Sequence, residues 1–200
     1  MNICGDCVHA AVGACAGGEP VASHSGHGGA GWALSLTPMT RQSHTNQDSS
    51  ADARQDLLNR LIATAAQRPL NQGELGELND SNAGFDAQVG IRYTHLSRGE
   101  VRGVIHAGPQ HHQPWGLVNG GVYASFAESL GSIAGVIVAG CPVVGVNNST
   151  DFIRSVKQGP IEGVARPLQT GRRTQLWEVE MSHGGELVAK STLRTIVVGA

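Results

Sequence analysis

The sequence predicts an α+β domain in which an antiparallel β-sheet packs on one long helix. Three observations predict it. Residues 120–140 form a single apolar stretch of mostly small residues, long enough for six turns of helix. Six short β-rich runs flank that stretch, two before it and four after it, with turn residues between them. Helical and strand patterns do not alternate, as they would in a parallel sheet built from βαβ units.

The elements follow in order. Residues 1–50 are rich in Gly, Ala, Ser and His and show no periodic apolar pattern. Such a segment buries too little surface to offset its ordering entropy, so a disordered tail is expected. Asp52 to Gln67 reads as a helix, because Leu57, Leu58, Leu61 and Ile62 make one apolar stripe. Residues 69–83 are polar, are broken by Pro69, Gly73 and Gly76, and read as a connector; helix and connector together span 51–84. The sheet-and-helix domain is expected over 85–199. Its first two strands are Val89–Leu96 and Val101–Ala107, joined at Ser97-Arg98-Gly99-Glu100. A loop from Gly108 to Gly116 leads to the helix of 120–140. The last four strands are Val143–Ile153, Ile161–Gln169, Thr174–Ser182 and Glu186–Val198.

Composition excludes several classes. Lys and Arg number 14 against 16 Asp and Glu, so no basic nucleic-acid footprint exists. Four cysteines are present, three of them (Cys4, Cys7, Cys15) within the first fifteen residues. Cys4-x-x-Cys7 has no second pair at zinc spacing, even with His9, His24 and His27 considered, so no metal is expected. Gly26-His27-Gly28-Gly29-Ala30-Gly31 fits a dinucleotide fingerprint but follows no strand and opens no helix. The first twenty residues hold no Lys or Arg, so a secretory signal is not expected, and a cytoplasmic location is. The 120–140 helix has the length to span a bilayer, but it carries Glu128, three serines and several glycines. A buried helix under a sheet explains it better than a membrane span.

Glu128 is the one charged side chain between Leu117 and Thr150. A carboxylate on a buried helix is paired, protonated or functional. Its helical neighbours at 121, 124, 125, 131, 132 and 135 are Gly, Ala, Ser, Gly, Ser and Gly, which leave room for a ligand or another helix. At the helix start stands Asn119-Gly120-Gly121. Asn is a favoured N-cap, and glycine lets a group approach the free N–H donors, which stabilise negative charge. Read alone, these residues fit a well-made helix start equally well. Gly120 and Glu128 are eight residues apart, about 12 Å along one helix. They cannot serve one carbonyl in one subunit; they can across the two-fold axis of a dimer.

The run His112-Gln113-Pro114-Trp115-Gly116-Leu117-Val118-Asn119-Gly120-Gly121, followed by Glu128-Ser129-Leu130-Gly131-Ser132, resembles the hot-dog-fold acyl-CoA thioesterases of the PaaI type. That group includes 4-hydroxybenzoyl-CoA and 1,4-dihydroxy-2-naphthoyl-CoA hydrolases and the proofreading thioesterase of enterobactin synthesis. Val143-Val144-Gly145, Arg154 and the run from Arg166 to Trp177 continue the likeness, which covers about residues 85–198. The resemblance implies an antiparallel sheet wrapped around one long helix, in dimers and usually tetramers. It implies hydrolysis of an aromatic or medium acyl-CoA, with coenzyme A entering as part of the substrate and no other cofactor. Glu128 would be the catalytic carboxylate, as base or nucleophile. The Gly120 N–H of the partner subunit would polarise the carbonyl, with Gln113 and Asn119 helping to position it and Ser132 near the acyl group or water. His112, Gly121, Arg154, Arg172 and Arg173 would contact substrate, the arginines through CoA phosphates.

Two residues depart from the pattern. The family's usual His before Gly-Gly is Asn119, which can cap and hydrogen-bond but cannot shuttle a proton. Where the menaquinone and enterobactin branches carry a His two residues before the Arg, this chain has Phe152. The sequence leaves two other readings: a non-catalytic acyl-CoA-binding protein, and an enoyl-CoA hydratase, which the helix disfavours because it lacks histidine. The pocket is expected to be shaped by residues such as Val122, Tyr123 and Phe126 together with residues of the partner subunit. The tandem Asn147 and Asn148 sequons have no role in a cytoplasmic protein.

Overall fold

The computed structural model describes residues 45–199, with side chains from residue 51 onward. Cys4, Cys7, Cys15, the glycine fingerprint and nearly all of the expected tail lie outside these residues. Helix α1 spans Thr45–Ala65, so it starts inside the stretch read as tail and stops two residues before the expected end. No Gly or Pro interrupts the sequence from 45 to 68, and Pro69 then disfavours helix at the residue before it.

The connector of 69–83 is not plain coil. It contains helix α2 (Gln72–Asp80), started by a capping box. Asn71 Oδ1 accepts the Glu74 N–H at 3.0 Å, and the Glu74 carboxylate accepts the Asn71 N–H at 2.9 Å. Arg68 grips the same carboxylate at 2.7 Å and, with the Asn71 N–H, pulls its pKa down to about 2. Asn71-x-x-Glu74 is the sequence signature of such a start. Asn71→Ala is expected to cost about 1 kcal/mol of stability, read as a lower thermal midpoint.

Helix α3 (Gly84–Val89) replaces the expected beginning of the first strand. Gly90 closes it with φ of 75°, and its N–H and that of Ile91 return to the carbonyls of Ala87 and Asp86. Strands β1 (Arg92–Ser97) and β2 (Glu100–Ala107) follow. A 3-10 turn at Pro109–His111 interrupts the loop before helix α4 (Gly120–Ala139). Then come β3 (Val143–Phe152), β4 (Gly159–Thr170), β5 (Thr174–His183) and β6 (Glu186–Val197). The strand order is β1-β2-β4-β5-β6-β3, antiparallel throughout, with β1 and β3 at the edges.

Helix α4 crosses one face of all six strands. Although long and apolar enough to cross a membrane, it buries Tyr123, Phe126, Leu130, Ala134 and Ile137 in the core. Leu61 of α1, Leu70 of the link that follows it, and Leu75 and Leu78 of α2 join the same core cluster.

Glycine lets helix and sheet approach. A side chain on Gly163 of β4 would meet Phe126 Cε1 at 2.6 Å, and one on Gly103 of β2 would meet Leu130 at 3.0 Å. Phe126 is therefore fully buried against the sheet and does not shape a pocket, contrary to the sequence expectation. Gly131 and Gly135, expected to leave room for a ligand or a second helix, are instead filled by Leu193 and by Gln175 with Val143. The buried Gln175 amide donates to the Gly135 carbonyl at 3.2 Å and accepts from Trp177 and Thr195. Every polar atom of that amide is thereby used inside the core.

Candidate functional site

Helix α4 begins at Asn119, whose Oδ1 accepts the Gly121 N–H at 2.8 Å. The Asn119 carbonyl accepts the Val122 N–H. Gly120 N–H makes no hydrogen bond among the described residues. It is the open donor of the helix N-terminus, where the backbone dipoles favour negative charge. The loop before it is anchored on both sides. His112 Nε2 meets the Lys157 carbonyl at 2.6 Å, the Val118 N–H donates to Val156, and the Asn119 N–H donates to the His111 carbonyl. The Gln113 main chain bonds Leu117 and Gly116, and Gly116 turns with φ of 76°, leaving the Gln113 side chain half-buried. Thus His112 acts in this chain as a tie between two loops.

Phe152 comes from the end of β3 and lies over the helix start. A Cβ on Gly120 would stand 2.6 Å from its Cζ. Its ring is 60% exposed and leans on the Tyr123 ring, 6.0 Å away between centroids. The Tyr123 hydroxyl is buried and has no partner among the described residues, and burial raises its pKa.

Two turns further along α4 stands Glu128, half-buried. Ser132 Oγ donates to its Oε1 at 3.4 Å and Asn148 Nδ2 to its Oε2 at 3.4 Å. Both contacts are long, so the carboxylate keeps lone pairs open for a water or substrate. It lies flat against β3, because a Cβ on Gly145 would collide with Oε1. The next residue, Ser129, faces away and donates to Asp86 of α3 at 2.6 Å, and Asp86 also accepts the Tyr93 hydroxyl. Burial, and then the Asp86 charge, push the Tyr93 phenol well above its usual range.

The structure brings Glu128 and Ser132 together, and separately Asn119, Gly120 and Gly121. It does not unite the arginines. Arg154 follows β3, where its N–H donates to Val188 and its side chain to the Leu187 carbonyl. Arg172 and Arg173 sit in the β4–β5 turn, with the Arg173 carbonyl bonded to Val197. Val188 and Val197 are roughly 30 Å apart along β6, so one chain cannot bring all three to one phosphate group. Asn148, dismissed in the sequence as part of a sequon, is the site residue that sequence reasoning missed. Among the described residues no cluster of three or more His, Cys, Asp or Glu could hold a metal.

Residues 116–190 match the family model of the thioesterase superfamily. An esterase of Mycobacterium tuberculosis is 39% identical over 116 residues, which cover 55% of this chain and 83% of that protein. Its solved structure superposes with a TM-score of 0.57 at 38% identity, covering 58% of this chain and 97% of that one. A proofreading thioesterase of Cronobacter turicensis is 37% identical over 129 residues, 62% of this chain and 94% of that protein. A phenylacetic acid degradation protein PaaI of Thermus thermophilus, solved as a mutant, gives a TM-score of 0.55 at 26% identity over 57% of this chain and 98% of its own. The six-stranded antiparallel sheet on one long helix is the hot-dog fold, and this chain belongs to the thioesterase superfamily as a PaaI-type thioester hydrolase.

Proposed function

We propose that the chain hydrolyses an acyl-CoA thioester carrying an aromatic or medium acyl group, releasing the free acid and CoA. The observation that carries this reading is the Glu128 carboxylate, half-buried, contacted by two donors at 3.4 Å and otherwise open. In the reaction Glu128 takes a proton from water, and the oxygen attacks the thioester carbonyl carbon. The carbonyl oxygen becomes an oxyanion, the C–S bond then breaks, and the CoA sulfur leaves and recovers the proton. The alternative is direct attack by the carboxylate, followed by hydrolysis of the mixed anhydride. Either way a donor must face the oxyanion, and the open Gly120 N–H suits that task. Gln113 and Asn119 are assigned to orienting the carbonyl, Ser132 to the acyl group or water, and Gly121, whose N–H is held by Asn119, to close approach of the substrate at the helix end. Coenzyme A is part of the substrate, and the reaction calls for no metal or redox cofactor. A CoA-linked substrate accords with a cytoplasmic location.

The separation of Glu128 from Gly120 along one helix argues for a two-fold dimer, with each site shared between copies. The open edge of β3 supports this, since Val144, Val146, Phe152 and Ile153 are exposed there. Pairing through this edge would also let Arg154 of one copy approach Arg172 and Arg173 of the other. A dimer of dimers is the next level of assembly. Light scattering is expected to give at least twice the 20.8 kDa chain mass.

One observation favours a binding protein without turnover: the Phe152 ring that covers Gly120. Thiol release measured over aromatic, medium-chain and long-chain acyl-CoAs separates the two. Turnover with preference for aromatic or medium acyl groups is expected. Tight binding with no thiol released from any thioester would overturn hydrolysis in favour of binding.

A further inference from the structure

Asn148 and Thr150 lie two residues apart on β3 and so share one face of the strand, the face from which Asn148 reaches the helix. Asn148 Nδ2 donates to the Ala124 carbonyl of α4 at 2.9 Å and to Glu128 Oε2 at 3.4 Å. Both partners only accept, so the amide cannot be turned the other way without setting oxygen against oxygen. Its Oδ1 accepts the Thr150 hydroxyl at 2.8 Å. That uses the single Thr150 proton, so the buried Ser191 hydroxyl, 2.8 Å from Thr150 Oγ1, must be the donor to it. The hydrogen bonds therefore run in one direction, Ser191 to Thr150 to Asn148 to Glu128, and end on a carboxylate. A chain of donors pointing one way polarises each successive bond. An amide required only to tie β3 to α4 would need the Ala124 bond and nothing behind it.

We propose that Asn148 is a positioning residue for the Glu128 carboxylate, with Thr150 and Ser191 fixing the direction of its amide. This rests on the hydrolytic role assigned to Glu128. It holds the carboxylate from the strand while Ser132 holds it from the helix, with Oε1 and Oε2 engaged by different elements.

The test compares Asn148→Leu, Asn148→Asp, Thr150→Val and Thr150→Ser by kcat, KM and pH–rate profile on a thioester that the wild type cleaves. Thr150→Val is expected to lower kcat by about 2- to 10-fold at unchanged KM, the value of one hydrogen bond. Thr150→Ser keeps the hydroxyl and should keep the rate. Asn148→Leu is expected to lose about 10-fold or more in kcat. Asn148→Asp sets a second carboxylate beside the first and should move the acidic limb of kcat/KM to higher pH. Equal loss in Thr150→Val and Thr150→Ser would show a packing role and overturn the proposal. So would wild-type kcat and an unmoved acidic limb in a folded Asn148→Leu. A readout free of turnover is the Asn148 side-chain amide resonance, identified by its absence in Asn148→Leu. It should move in both Thr150→Val and Glu128→Gln. A resonance unmoved by Glu128→Gln overturns the contact even if no thioester is cleaved. A moved resonance in a protein that cleaves nothing would keep the Asn148–Glu128 link and discard hydrolysis.

Discussion

Glu128→Gln is expected to lower kcat for thioester cleavage by about 10²–10⁴-fold, the usual worth of a positioned general base. The amide has the shape of the carboxylate but takes no proton and attacks no carbonyl. Ser132 Oγ and Asn148 Nδ2 approach opposite oxygens of the carboxylate, and a serine hydroxyl accepts as well as donates, so an amide with its NH₂ toward Ser132 and its oxygen toward Asn148 keeps both contacts. The helix keeps its packing, because Phe126, Ala127 and Leu130 around this position are buried independently of the carboxylate. The thermal midpoint and oligomeric mass should stay near those of the wild type while turnover collapses. More than half the wild-type rate in a folded variant would remove Glu128 from the chemistry.

Gly145→Ala should cost about 10²-fold in kcat, the scale of an ångström-size misplacement of a reacting group. Gly145 does not have positive φ, so alanine meets no backbone penalty there. What it meets is the Glu128 carboxylate, since the new methyl would fall on Oε1. The side chain must swing away, breaking its contacts to Ser132 and Asn148. Substrate binding through other groups should persist, so KM should change far less than kcat. Steady-state kinetics on the purified variant decide this. An unchanged kcat would mean that the reactive position of Glu128 lies off the strand, and that its contact with β3 does not matter to turnover.

The parts legible in the sequence were those set by local pattern. The small-residue helix, its Asn119 start and its lone carboxylate were all readable from spacing and composition. Strand boundaries agree within two residues for β2 to β6, because Gly and Pro punctuate them. Helix α2 replaces part of the connector expected from the polar residues, Pro69, Gly73 and Gly76, although the capping-box pair Asn71 and Glu74 stands in the same stretch. Its leucines, Leu75 and Leu78, are held in helix by burial against the rest of the core, which overrides the glycine penalty.

Asn148 shows why the rest was hidden. Alternation along a strand tells that residues 148 and 150 share a face, but not which face meets the helix. The irregular register between Gly145 and Asn147 shifts that alternation within β3 itself. The sequence alone determined that a charged group sits on a buried helix eight residues past an open helix start. Only the tertiary structure decided what surrounds each end. It laid β3 beside α4 so that Gly145 and Asn148 meet Glu128, and Phe152 covers Gly120. These contacts join residues 17 to 32 positions apart. They follow from how helix and sheet fit together at close packing, a property of the assembled core that no local pattern encodes.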